Sequence, residues 1–265
     1  MTSSDVQGVK VRELNPEQPF LWLQHGWADF KKAPAIGLLH GLAISGFGFV
    51  LLYFAFDHFW LLAGAFTGFL AVAPVLAVGL YAVSRAIEKG APVNVMLVFK
   101  TWWSWRGKPH HDWRLVRFGL LLCLSGTGWV LTSAALITLF ASEPVREPVD
   151  FLRYVVLARN DYLFEIWVIV GALLAAPVYA SSVVTLPLLL DKRIGILDAV
   201  LVSWKVILQN PIPMAIWAIL IMVTSMLGML ALIGSALVAP VLGHASWHAY
   251  RDAVDSENLP CRVEE

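Results

Sequence analysis

Charge is the scarcest commodity in this sequence. Only 14% of its 265 residues are Asp, Glu, Lys or Arg, against about 25% in an average globular protein. Acidic and basic residues balance at 19 each, so no global field attracts nucleic acid, and no nucleic-acid partner is expected. Only two cysteines occur, Cys123 in an apolar run and Cys261 in a polar tail, which excludes a disulfide framework and leaves two free thiols. The opening residues lack a basic stretch followed by an apolar one, so no cleaved signal peptide is expected and the first apolar span should serve for insertion. There is no nucleotide-binding glycine loop, nucleophile elbow, His-Glu-x-x-His or paired-carboxylate site.

Hydrophobic residues are abundant, at 58%. They form runs of roughly 20 residues without charge, the length that crosses a bilayer core. Six spans are predicted: about 35–56, 59–83, 118–141 and 166–190, then two within the uncharged stretch from Pro211 to Tyr250, turning near 230–234. The fold class is therefore all-α, a polytopic membrane helical bundle. The membrane domain covers 20–254, between a tail at 1–19 and another at 255–265.

A repeat organises these spans. Trp27, Trp102 and Trp204 are each followed seven residues later by a proline, at 34, 109 and 211. An Ala-Pro-Val then falls within each returning span, at Pro74, Pro177 and Pro240. Three units follow, about 20–90, 91–193 and 194–254. Each begins with a short amphipathic helix, its apolar residues at helical spacing: Phe20, Leu23, Trp27 and Phe30, opposite His25, Asp29 and Lys32; then Val95, Val98, Trp102 and Trp105; then Leu197, Leu201, Trp204 and Leu208. Helices of this kind lie in the membrane interface. The proline after each is expected to end it, and the prolines within the returning spans to kink them. Gly37, Gly41 and Ser45, and likewise Gly64 and Gly68, put small faces on spans one and two for close helix packing.

Basic residues set the orientation. Sixteen of the 19 fall on the side of the two termini; only Arg146, Arg153 and Arg159 share the loop between spans three and four. Both termini are thus expected in the cytoplasm. Arg85 and Arg251 each follow their unit's proline by eleven residues, with Tyr81 and Trp247 at the seventh. They are expected to snorkel to the interface or to meet anionic head groups, beside Trp27, Trp102, Trp204 and Trp247 as aromatic anchors.

Ionisable residues deep in a bilayer mark transport paths or proton relays, and the central parts of the spans hold none. His40, His244 and His248 lie toward the cytoplasmic ends. His244 and His248, four apart, share a helix face and are candidates for a haem or metal ion such as copper. The alternative is that His244 bonds a neighbouring helix while Trp247, His248 and Tyr250 form an interfacial belt. His110-His111-Asp112 reads as a solvated turn.

Gly-Leu-Tyr-Ala-Val-Ser-Arg at 79–85, Leu-Pro-Leu-Leu-Leu-Asp-Lys-Arg at 186–193 and Pro-Val-Leu-Gly-His-Ala-Ser-Trp-His-Ala-Tyr-Arg at 240–251 resemble a bacterial integral membrane family known as domain of unknown function 2189. The resemblance extends over about 20–254. It implies a six-span protein of the bacterial inner (plasma) membrane without established activity; some members are labelled cytochrome c oxidase subunits, a label that would fall on His244 and His248. The expected role is non-enzymatic, accessory or scaffolding, with the lipid bilayer and membrane-complex subunits as partners and no cofactor. The alternatives are a transporter or channel between the proline-kinked helices, and a haem- or copper-binding respiratory accessory protein.

Overall fold

A computed structural model describes residues 9–55, 75–103, 112–158, 162–230 and 234–262. In chain order the elements are β1 (Lys10–Val11), α1 (Gln18–Lys32), α2 (Pro34–Ala55), α3 (Val78–Glu88), α4 (Val95–Trp103) and α5 (Arg114–Phe140). After these come α6 (Pro148–Phe151), a π-helical turn (Leu152–Val156), α7 (Leu163–Ser182), α8 (Thr185–Asp191), α9 (Ile196–Gln209), α10 (Pro211–Leu230), α11 (Ser235–Ala253) and β2 (Val254–Asp255). Pro74, His110 and His111, with much of span two, lie outside the described residues.

The chain forms two compact units. The first takes the described parts of Met1–Ser45, Pro74–Phe118 and Tyr179–Glu265, and the second those of Gly46–Ala73 and Gly119–Val178.

In the first unit, α11 is the central element. Helix α1 crosses it closely because Gly26 has no side chain: a Cβ there would lie 2.6 Å from the Val241 carbonyl oxygen and 2.7 Å from the Ala245 nitrogen. Gly41 on α2 does the same against the Ala236 carbonyl, which gives the Gly37-Gly41-Ser45 face its packing partner. Trp22, Trp217, Trp247, Tyr250 and Leu188 are among the large side chains buried almost completely here. Strands β1 and β2 pair antiparallel, Lys10 opposite Asp255 and Val11 opposite Val254. Residues near the expected 255–265 tail are thus fastened to the fold.

The tryptophan–proline spacing acquires a sharper meaning. Pro34 and Pro211 are the first residues of α2 and α10, where a missing N–H is no loss because first-turn amides have no helical partner. The proline starts the next helix as much as it ends the previous one. At Pro34 the chain bends by 106° between α1 and α2.

The short helices present much of the apolar stripes seen in the sequence outward, with Phe30 and Val98 as buried exceptions. On α9, Leu197 and Leu208 are 70% and 72% exposed and Leu201 and Trp204 are also exposed, while Ala199, Val202, Ser203 and Val206 are buried. On α1, Phe20 and Trp27 are exposed, and the buried face is Trp22, Gly26, Asp29 and Phe30. Asp29, expected on the polar face, lies inside, on the same buried face as Trp22, Gly26 and Phe30. Helix α4 buries Val98 and exposes Met96, Phe99, Trp102 and Trp103.

The second unit is held by aromatic packing. Ile137, Val145, Val155 and Leu163 form its core with Phe151, Tyr154, Phe164 and Trp167 around them. The Trp167 indole N–H donates to the Ser133 hydroxyl at 2.7 Å, and its ring lies 5.3 Å from that of Trp129. Much of the remaining helix surface, including Leu131, Leu139 and Leu173, is exposed.

Among the described residues, Arg114–Phe140, Leu163–Asp191 and Pro211–Gly228 are long and apolar enough to cross a membrane, and the bent α1–α2 pair makes a fourth candidate. The expected span at 166–190 is two helices, α7 and α8, separated by a turn at Val183-Val184. Helix α11 falls short of this apolarity because its last turns carry His244, Ser246, His248, Arg251 and Asp252.

Candidate functional site

The polar residues of α11 converge with α1, α3 and α8 in the first unit. Their helical spacing aims His244, Trp247, His248 and Arg251 at neighbouring elements. His248 Nε2 lies 2.8 Å from Asp29 Oδ2 on α1. His244 Nδ1 lies 2.8 Å from the Ser84 hydroxyl on α3, and that hydroxyl also favours the ionised form of Asp29. These bonds link two histidines through a buried carboxylate and a hydroxyl. Burial pushes the Asp29 carboxyl up, but hydrogen bonds from His248 and Ser84, together with the nearby imidazole charge, outweigh it and hold it below its ordinary value. Lys32 Nζ stands 3.5 Å from its other oxygen.

A second cluster surrounds Asp191, the last residue of α8. Arg85 Nε on α3 donates to Asp191 Oδ1 at 2.8 Å, and the Tyr250 hydroxyl donates to Oδ2 at 2.9 Å. Both Arg85 and Asp191 side chains are only 7% exposed. At the end of α3, Glu88 accepts from the Trp247 indole N–H at 2.9 Å and from Arg251 Nε at 3.0 Å. The Trp22 indole N–H donates to Asp252 at 2.7 Å. Near the chain end, Arg114 and Arg262 converge on Asp112, at 2.7 Å and 3.1 Å. Burial raises the Asp112 carboxyl, but its hydrogen bonds from Arg114 and the charges of Arg114 and Arg262 lower it overall.

The residues singled out in the sequence distribute as follows. Trp27, Trp102 and Trp204 are exposed. Arg85 and Trp247 are buried, and the polar atoms just described bond within the unit. Arg251 is half-buried against Glu88. Pro177 lies inside α7 and is exposed, and Pro240 lies inside α11 and is buried. Of the three histidines, His40 directs Nδ1 to its own helix at the Ile36 carbonyl, 2.9 Å away. Each of the three therefore has a different partner. Among the described residues, no three His, Cys, Asp or Glu side chains form a group able to hold a metal ion. His244 Nε2 is fully buried and has no hydrogen-bond partner among the described residues.

Sequence reasoning passed over Asp29, Ser84, Glu88 and Asp191, the acceptors of this network. A signal was present: Asp191 ends the apolar Leu-Pro-Leu-Leu-Leu run, where a lone carboxylate calls for a buried cationic partner. The arrangement can hold helices in register and share protons between His248 and Asp29. Ser84 is 1% exposed, and its histidine has no carboxylate on the second nitrogen, so it is not arranged as a nucleophile.

Long, lipid-compatible helices joined to this polar cluster define a helical integral membrane protein. Residues 61–191 match the model of a family described as Predicted integral membrane protein (DUF2189). Over that segment the chain is similar to this family. No curated protein and no solved structure matches it.

Proposed function

We propose that the protein is a non-enzymatic accessory or scaffolding protein of the bacterial inner membrane, with six spans, both termini cytoplasmic and three short helices lying in the cytoplasmic leaflet. One observation supports this reading above the others: α1, α4 and α9 turn apolar stripes outward while their opposite faces pack on the protein. On α1 and α9 this stripe leads through a proline into an apolar helix. A stripe of Leu and Trp with Lys31, Lys32, Lys100 and Lys205 nearby suits insertion at head-group depth beside anionic lipid. The polar side chains of α11 are engaged in fastening helices, as a scaffold requires.

The test places an environment-sensitive fluorophore at Leu201→Cys, in a background without Cys123 and Cys261, and quenches it with lipids brominated at graded depth. Quenching strongest near the glycerol region supports the reading; no quenching at any depth overturns the interfacial placement. The scaffolding role predicts defined co-purifying membrane subunits, and uptake of a defined solute by the purified protein in vesicles would overturn it.

A further inference from the structure

One side-chain pair belongs neither to the helix-fastening network nor to the interfacial stripes. Lys192, just after α8, and Cys261 stand opposite each other in an isolated antiparallel bridge. Two backbone bonds flank them: the Arg193 N–H donates to the Pro260 carbonyl at 2.9 Å, and the Arg262 N–H to the Asp191 carbonyl at 3.0 Å. Directly opposed residues in such a pair point to the same side, and Lys192 Nζ donates to Cys261 Sγ at 3.6 Å. Arg114 holds the Lys192 and Ile194 carbonyls at 3.2 Å and 2.7 Å, so the segment that carries Lys192 is fixed.

The two partners are complementary. Lys192 is only 7% exposed, and among the described residues its ammonium meets the Leu259 carbonyl at 3.4 Å and the sulfur, but no carboxylate. A buried ammonium without a counter-charge is costly, and among the described residues a Cys261 thiolate is the group placed to supply one. Cys261 itself is exposed. Thiols that oxidise selectively are solvent-accessible and lie beside a cation, because the thiolate is the form that attacks. The lysine adds a second element, a nitrogen already seated against the sulfur. A sulfenic acid that meets a nitrogen nucleophile condenses with it to a sulfenamide.

We infer that Cys261 and Lys192 form a peroxide-responsive modification site in which Lys192 is the resolving amine. In the first step Sγ attacks one oxygen of hydrogen peroxide and the O–O bond breaks. The departing oxygen leaves as water with the thiol proton, and Cys261 becomes a sulfenic acid. The sulfur is oxidised by two electrons and the peroxide is reduced. In the second step Nζ, having released its extra proton to solvent, attacks Sγ; the S–O bond breaks and a second water leaves. The product is an S–N bond between the two side chains. Two molecules of a small thiol return the free amine and thiol and become a disulfide. The link ties the chain end to the segment after α8, and it stands independently of the scaffolding role.

The experiment uses the full chain in detergent with Cys123→Ser, treated with hydrogen peroxide, digested and read by mass spectrometry. Expected is a peptide pair joined at Lys192 and Cys261, two hydrogens lighter than its separate halves. Dithiothreitol should return both halves unmodified. K192R keeps a cation beside the sulfur but removes the amine. It should lose the joined peptide completely, and dimedone should then capture Cys261 as the sulfenic acid. C261S should lose both products while keeping the parent's thermal midpoint. A joined peptide at full yield in K192R, or a link from Cys261 to a different lysine, would overturn the assignment. So would a parent in which Cys261 stays unoxidised or goes to sulfinic acid without forming the link.

Discussion

The two units solve the same problem with different materials. The first ties distant segments together with charges and indole N–H groups: Arg85 to Asp191, Trp247 and Arg251 to Glu88, Trp22 to Asp252. The second relies on ring contacts, Trp129 tilted, Phe151 edge-on and Phe164 stacked against Trp167, together with the Trp167 bond to Ser133. Its helices leave leucines uncovered, which suits hydrocarbon as solvent. Where water or head groups reach, burial alone cannot specify which helix neighbours which, and directional bonds supply the address. In lipid, apolar packing costs nothing to expose and needs few such bonds.

The largest break in this contrast should come from Asp191→Asn. Removing one partner of a buried ion pair costs about 3–5 kcal/mol, because the Arg85 guanidinium keeps its desolvation while losing the Asp191 charge. A fall of roughly 10 °C in the thermal midpoint in detergent is expected, and a shift within 2 °C would mean that the pair contributes nothing net. Next comes Gly26→Val. Its branched side chain meets backbone of α11 rather than a yielding side chain, so a loss of about 3 kcal/mol is expected. Gly128 in the second unit, with open space around it, should accept alanine without loss of midpoint. Trp167→Phe keeps most of the ring packing and removes only the bond to Ser133, costing about 1 kcal/mol. That value, set beside the first, measures how much less the second unit depends on polar contacts.

Acid should weaken the units unequally. The carboxyls of Asp29 and Asp112 are held below the usual 3.8. Asp150 in the second unit is also held low, by the backbone N–H groups of Arg146 and Glu147, but it lies at the surface and its contribution is screened by solvent. A depressed carboxyl adds stability that is complete above the unfolded value and disappears as pH falls through the folded one. Below about pH 4 the first unit should therefore loosen before the second, read as earlier amide exchange in α1 and α11 than in α5 and α7. Asp112→Asn should flatten that acid response while lowering stability slightly at pH 7. An unchanged acid profile would remove Asp112 from the account.

Much of the helical plan was legible beforehand. The apolar runs located α2, α5, α7 and α10 because length and absence of charge are properties of the local chain. The short helices were legible too, from spacing, but which residues of each packed on the protein was not. Phe20, Leu23 and Trp27 read as a stripe for the membrane interface, but that Gly26 is the contact point on α11 is not legible, because a glycine announces contact only once its partner is known. The candidate site was legible in part. His244 and His248 stood out by their four-residue spacing, whereas Asp29 and Glu88 looked like ordinary surface charges. Their roles depend on pairs more than 150 residues apart, such as Trp247 with Glu88 and His248 with Asp29, and no local pattern carries that information. Arg85 was read as reaching outward because Asp191, its partner, lies 106 residues on.

The pairing of β1 with β2 has a consequence for the order of events during synthesis. Arg12 leaves the ribosome early, yet the Arg251 carbonyl to which it donates is 239 residues later, and Trp22 waits 230 residues for Asp252. At roughly 5–20 residues per second, the N-terminal segment stays unpaired for tens of seconds while the intervening helices insert. The first unit can close only when α11 is in place. Any truncation or stall before Ser235 leaves uncovered the face of α1 that includes Trp22 and Asp29.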